Sequence, residues 1–270
     1  MGIDIRYDHS MRIPRPDLSL ELGTPNACTH CHDDKTDQWA LEYVNKWYGE
    51  KKKAHYATIL ADASKGKPGA DDGLLRIINS NLYPEIIRAT AIGYLSSYQT
   101  IQAQDALKKA LNDPDPLLRY TAVENFWTGD SASLFKILAP LMNDPVKSVR
   151  MEAANRLATY RKKAFNEIQY ALFVKALEEY KRSQEYVADF PMGRHNLGNY
   201  YSKLNDQSKA ALVKGLGLDP CNFDLLYALF SFHMNLNERV KAAPYAEKMK
   251  SCFPGEKQAQ DLYNDFARKN

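Results

Sequence analysis

Three stretches, "YPEIIRATAIGYL" (83–95), "PDPLLRYTAVENF" (114–126) and "PVKSVRMEAANRL" (145–157), superpose when each is shifted by 31 residues. Arg88, Arg119 and Arg150 then form one column, Ala91, Ala122 and Ala153 a second, and Ile87, Leu118 and Val149 a third. Apolar and small residues three and four apart around a fixed polar position describe one face of a helix. An Asn-Asp-Pro break recurs at 112–114 and 143–145, where proline cannot continue a helix. A fixed period with helical spacing inside it predicts stacked helical hairpins, each too small to bury its apolar face alone.

Across roughly 53–160 this repeat resembles HEAT-like repeats. From about 164 the pattern changes to a long helix, "AFNEIQYALFVKALEEYKRSQEYVAD", and then to a second kind of unit. "HNLGNYYSKLND" (195–206), leading to "KGLGLDP" (214–220), resembles a tetratricopeptide unit, and the next unit ends at Pro254, 34 residues after Pro220. In that reading Leu197 and Gly198 let two helices approach, Tyr201 packs between them, and Leu229 and Ala242 occupy packing positions of the following unit. Phe230 stands where that pattern expects glycine.

Toward the N-terminus, residues 1–27 show no helical period, and Pro14 and Pro16 stiffen "RIPRPDLS". An ordered, extended arm is expected there. "TDQWALEYVNKWYGE" (36–50) places Trp39, Tyr43 and Trp47 four apart on one face of a short helix, flanked by Ala40, Val44 and Tyr48 and stopped by Gly49. That aromatic face is expected to dock the helix on the first repeat, with covering a porphyrin as the alternative. Lys51 to Lys53 reads as a solvated join and 64–73 as a loop.

Between the arm and this helix stands "NACTHCHDD" (26–34), with two of the chain's four cysteines and two of its six histidines. Cys28-Thr29-His30-Cys31-His32 is C-x-x-C-H, the attachment pattern of a c-type haem. Thiols separated by two residues can form thioether bonds to the two vinyl groups of one haem, and the next residue then lies under the iron. Cys28, Cys31 and His32 are therefore the candidate haem residues, His32 as proximal ligand, with one covalent haem c. His30 is directed differently by the backbone. A zinc half-site is the competing reading, but it needs a second cysteine pair at compatible spacing; a redox dithiol is another, and it belongs to a strand-to-helix context absent here.

The segment "DHSMRIPRPDLSLELGTPNACTHCHDDKTDQWALEYVNKWYG" looks like the surroundings of the last haem motif in exported multihaem cytochromes c, whose haem domain is followed by HEAT-like and tetratricopeptide repeats. The resemblance covers nearly the whole chain, although such proteins usually carry further C-x-x-C-H motifs and this chain has one. It implies an electron-transfer role and, for the sixth iron ligand, His9 beside the "DHS" pattern, which can also serve a neighbouring haem. His55 is the second candidate and Met11 the third. Histidine on both faces lowers the potential relative to a His/Met pair.

Cys221 and Cys252 flank one predicted hairpin, so a disulfide between them is geometrically plausible, two buried free thiols being the alternative. The formal charge of +3 is too small and too evenly spread to indicate nucleic acid, and no apolar run approaches a membrane span. The N-terminus lacks a signal-peptide pattern, so the haem reading expects a leader outside this sequence. The expected architecture is all-α: an extended arm with the haem motif (1–50), then an α-solenoid of HEAT-like repeats (51–162) and of a long helix with tetratricopeptide-like repeats (163–270). The expected role is an electron-transfer cytochrome subunit or domain without enzymatic activity, exported to the periplasm or outside the cell, docking other c-type haems or cytochrome subunits in larger or filamentous assemblies. The alternative is a helical-repeat binding scaffold whose C-x-x-C-H is structural or vestigial. No phosphate loop, carboxylate-pair motif or nucleophile elbow is present.

Overall fold

The computed structural model describes residues 14–50, 53–204 and 208–268, and among these all regular secondary structure is helical. The chain forms two compact units, one through Asn125 and one from Phe126. The first contains α1 (Pro16–Leu22), α2 (Ala27–Cys31), α3 (Asp37–Tyr48), α4 (Tyr56–Ser64), α5 (Ala70–Ile78), α6 (Glu85–Leu95), α7 (Ile101–Ala110) and α8 (Pro116–Asn125). Within it each helix packs mainly on near neighbours in sequence, α1 on α3, α4 on α5, and α6 on both α5 and α8. The second contains α9 (Ser131–Leu138), a 3₁₀ turn (Ala139–Asn143), α10 (Lys147–Arg156), α11 (Glu167–Tyr186), α12 (Pro191–Lys203), α13 (Ser208–Leu218), α14 (Phe223–Asn235), α15 (Arg239–Cys252) and α16 (Lys257–Arg268). Here α10 through α16 pack in succession, each on the next. This is the all-α helical-repeat class that the 31-residue period predicts.

Part of the arm expected to be extended is helical instead. Pro16 occupies the first turn of α1, where its missing N–H would have had no partner in any case. Arg15 closes the start by pairing with Asp17 through Nε (2.8 Å) and Nη2 (2.6 Å), and the guanidinium holds that carboxyl below the usual carboxylate range. Gly23 ends the helix in the left-handed region (φ 73°), its N–H donating to the Ser19 carbonyl. Leu18 and Ser19 are buried. Seven residues are too few to display a period, and two prolines at 14 and 16 suggest extension. Residues 1–13 of the arm lie outside the described residues.

The repeat columns behave as one core position each. Ala91, Ala122 and Ala153 are fully buried, as are Leu95, Phe126 and Leu157 one turn further on. Leu118 and Val149 are likewise buried, and Ile87 is half-buried. The arginine column has a structural task. Arg119 Nη1 donates to the carbonyls of Asp113 (2.9 Å) and Pro114 (3.0 Å), and Arg150 Nη1 donates to those of Asp144 (3.3 Å) and Pro145 (2.9 Å). Each arginine thus clasps the Asp-Pro break that precedes its own helix. The breaks are built alike: Asp113 Oδ1 accepts from the Asp115 N–H and Asp144 Oδ1 from the Val146 N–H, the side-chain turn that aspartate favours. Arg88 reaches Asp113 (3.0 Å), and Arg150 makes a two-pronged contact with Glu179 on α11 (2.7 and 3.0 Å).

In the tetratricopeptide-like part, a Cβ at Gly198 would collide with the Leu212 side chain, so glycine permits the close approach of α12 and α13. Leu229 and Ala242 are fully buried, as expected. Cys221, before α14, and Cys252, at the end of α15, form a disulfide with Cα atoms 5.6 Å apart. Closing a loop of 31 residues stabilises the fold by about 3–4 kcal/mol in the chain-entropy account. Helix α16 buries Ala259 and Phe266 against α14 and α15.

Hydrogen bonds from Arg150 hold the Glu179 carboxyl below the usual carboxylate range. The depressed value means that this contribution is present above about pH 4.3, the ordinary carboxylate value, and is lost as pH falls through the lower folded value. Arg150→Met is expected to cost about 1 kcal/mol at neutral pH. The melting-temperature gap between parent and variant should hold from neutral to mildly acidic pH and narrow below about pH 4. A gap that stays constant in acid would assign the effect to the turn carbonyls alone.

Candidate cofactor site around Cys28, Cys31 and His32

The cysteines sit on α2, a helix of five residues with no buried residue of its own. So short a helix has too few internal hydrogen bonds to persist by itself. Asn26, in extended conformation, supplies the N-cap: its Oδ1 accepts from the N–H groups of Cys28 (3.0 Å) and Thr29 (3.2 Å). Its Nδ2 donates to Ser19 Oγ on α1 (3.1 Å) and to Asp37 Oδ1 at the start of α3 (2.6 Å). Thr29 Oγ1 donates to the same Asp37 oxygen (3.3 Å), and the His32 N–H closes the turn on the Cys28 carbonyl (2.8 Å).

α3 begins at a Thr36 cap whose Oγ1 accepts from the Trp39 N–H (3.2 Å). Ala40 and Val44 are buried, while the aromatic face forms a continuous contact series. The His32 ring lies 5.1 Å from Trp39, Trp39 lies 4.9 Å from Tyr43, and Tyr43 lies 5.5 Å from Trp47. Cys28, Cys31 and His32 line one open hollow of about 230 Å³ together with Trp39, Tyr43 and Trp47. The face expected to dock on the first repeat instead lines the same hollow as the cysteine turn. Trp47 (64% exposed) and Tyr48 (65%) leave apolar surface uncovered beside the hollow.

Cys28 and Cys31 are free thiols, half-buried and exposed respectively, and the other two cysteines are bonded to each other. The second thiol pair that a four-cysteine zinc site requires is therefore consumed by the disulfide. Two accessible thiols, a following histidine and an aromatic wall suit a flat apolar macrocycle held by two thioether bonds.

Of the three distal candidates, His55 alone falls among the described residues. His9 and Met11 lie outside the described residues. His55 caps α4, its Nδ1 accepting from the Ala57 N–H (3.1 Å), and its ring contacts Tyr56; it does not line the hollow. His30 is exposed and also absent from the lining. His233 is buried and paired with Glu238 (2.7 Å), a packing role. The sequence reading missed Asn26, Ser19, Thr29 and Asp37 as a group. An asparagine directly before a short polar turn was the available signal for the cap, but its contacts to α1 and α3 depend on tertiary packing.

A larger groove of about 680 Å³ lies in the second unit, lined by His195, Asn199 and Ser202 of α12 and by Asp224, Tyr227 and Ser231 of α14. It contains no thiol, and its polar groups form no catalytic constellation. Among the described residues no helix is long and apolar enough to cross a membrane.

No protein-family model matches the chain, and no curated protein matches it.

In the chain without haem, a thiol-alkylating reagent should modify Cys28 and Cys31 without reductant and Cys221 and Cys252 only after reduction. Mass spectrometry of the alkylated peptides distinguishes the pairs, and labelling of all four before reduction would contradict the disulfide.

Proposed function

We propose that the chain is an electron-transfer c-type cytochrome subunit or domain carrying one covalent haem c on a helical-repeat scaffold. The observation that carries this reading is the convergence of both free thiols, His32 and the aromatic face of α3 on one hollow. Cys28 and Cys31 would carry the thioether bonds and His32 would ligate the iron. The group supplies a one-electron iron couple, tuned by its axial ligands and surroundings. The side chains do the rest: Trp39 packs against the His32 ring and limits its rotation, and Tyr43 and Trp47 give apolar cover that excludes water from one edge. For the opposite axial position His9 ranks first and His55 second. His55 already uses Nδ1 as a cap, which leaves Nε2 for a metal.

The resemblance of residues 8–49 to exported multihaem cytochromes supports the same reading. The Cys221–Cys252 disulfide supports an oxidising compartment, hence the periplasm or the exterior. The repeats supply extended surface for docking other c-type haems or cytochrome subunits, including a filamentous assembly, and no enzymatic step is assigned to the chain. The groove between α12 and α14 favours a second reading, a protein-binding scaffold whose C-x-x-C-H has no cofactor.

Production beside a c-type maturation system separates the two. The parent chain should gain one haem that survives denaturation, with sharp visible bands on reduction, and Cys28→Ala with Cys31→Ala should lose it. A colourless, unmodified parent chain from a competent host would leave the scaffold reading.

A further inference from the structure

We infer that Asn26 and Asp37 are positioning residues for haem attachment: their amide–carboxylate contact holds the Cys28–His32 turn so that both thiols face the aromatic side of α3. This inference rests on reading the hollow as a haem site. α2 buries no side chain and spans five residues, so packing does not orient it. Orientation must come from polar ties: the Thr29 hydroxyl reaches Asp37, and the remaining ties converge on the Asn26 amide. Asn26 makes four hydrogen bonds: two accepted from the Cys28 and Thr29 N–H groups and two donated to Ser19 and Asp37. That is the full capacity of a carboxamide. Serine could keep the cap but not both donations, and aspartate could keep the cap but would set a second carboxylate against Asp37. Ser19 is 4% exposed, which anchors the far end of the network in the core of α1.

The chemistry makes orientation matter. Each thiol would add across a vinyl double bond of the haem, forming a carbon–sulfur bond and leaving the thiol hydrogen on the neighbouring vinyl carbon, with no oxidant consumed. After the first addition the second is intramolecular, so its rate depends on how the remaining thiol is held. A turn freed from Asp37 should therefore accumulate haem bound through one cysteine.

The test compares the parent, Asn26→Asp, Asn26→Ala, Asp37→Ala and the exchanged pair Asn26→Asp with Asp37→Asn, all made beside the same maturation system. Intact mass gives haem loading, peptide mapping gives the ratio of doubly to singly linked haem, and circular dichroism of the unloaded chains checks the helical fold. The single variants should keep their helix content but lower the doubly linked fraction roughly tenfold relative to the singly linked one. The exchanged pair should recover most of it, because the carboxylate introduced at 26 accepts from the amide introduced at 37. In the unloaded parent, Cys31 should alkylate faster than Cys28, and Asn26→Ala should remove that difference. A parent that binds no haem overturns the haem reading and this inference with it. A parent that loads normally while Asn26→Ala and Asp37→Ala load with the same linkage ratio overturns the positioning role alone.

Discussion

The guanidinium groups of Arg119 and Arg150, each seated on the carbonyls of the Asp-Pro turn before its own helix, form the contact on which the join between turn and helix depends. Proline ends one helix and aspartate folds the turn through its side chain, but the turn carbonyls that result have no helical partner. Arg119 and Arg150 satisfy them in the same way, 31 residues apart. Because the arginine sits one turn inside the next helix, the clasp fixes the angle between turn and helix and delivers Ala122 and Ala153 to the buried face. A helix this regular needs little further instruction, which is why its neighbours pack in sequence order.

The cysteine turn is governed by a different logic. It buries no residue of its own, and it is held from outside by the Asn26 amide shared among α1, α2 and α3 and by the Thr29 hydroxyl on Asp37. Nearby, α3 commits only its small residues, Ala40 and Val44, to the core. Its large aromatic residues remain on the side of the thiols. An aromatic surface left open beside two free thiols is costly in water unless something flat and apolar covers it, and this is the physical ground for the haem reading.

The period of the repeats made the fold legible, since a column of arginines and a column of alanines both survive a shift of 31 residues. The C-x-x-C-H spacing likewise named Cys28, Cys31 and His32 before any geometry. Helix α1 was hidden because two prolines suggest extension, and only the capping by Arg15 and Gly23 reveals that Pro16 starts a helix. The direction of the aromatic face was hidden too: Trp39, Tyr43 and Trp47 at spacing four define a stripe, but a stripe does not say what it meets. Asn26 gave the weakest signal, because its role lies in contacts to Ser19 and Asp37, seven and eleven residues away.

Peptide mass mapping of the protein from its native source decides whether Cys28 and Cys31 hold a haem. The peptide containing both cysteines is expected to carry one haem through two thioether bonds. Recovery of that peptide with two unmodified thiols from a cell competent in c-type maturation would contradict it.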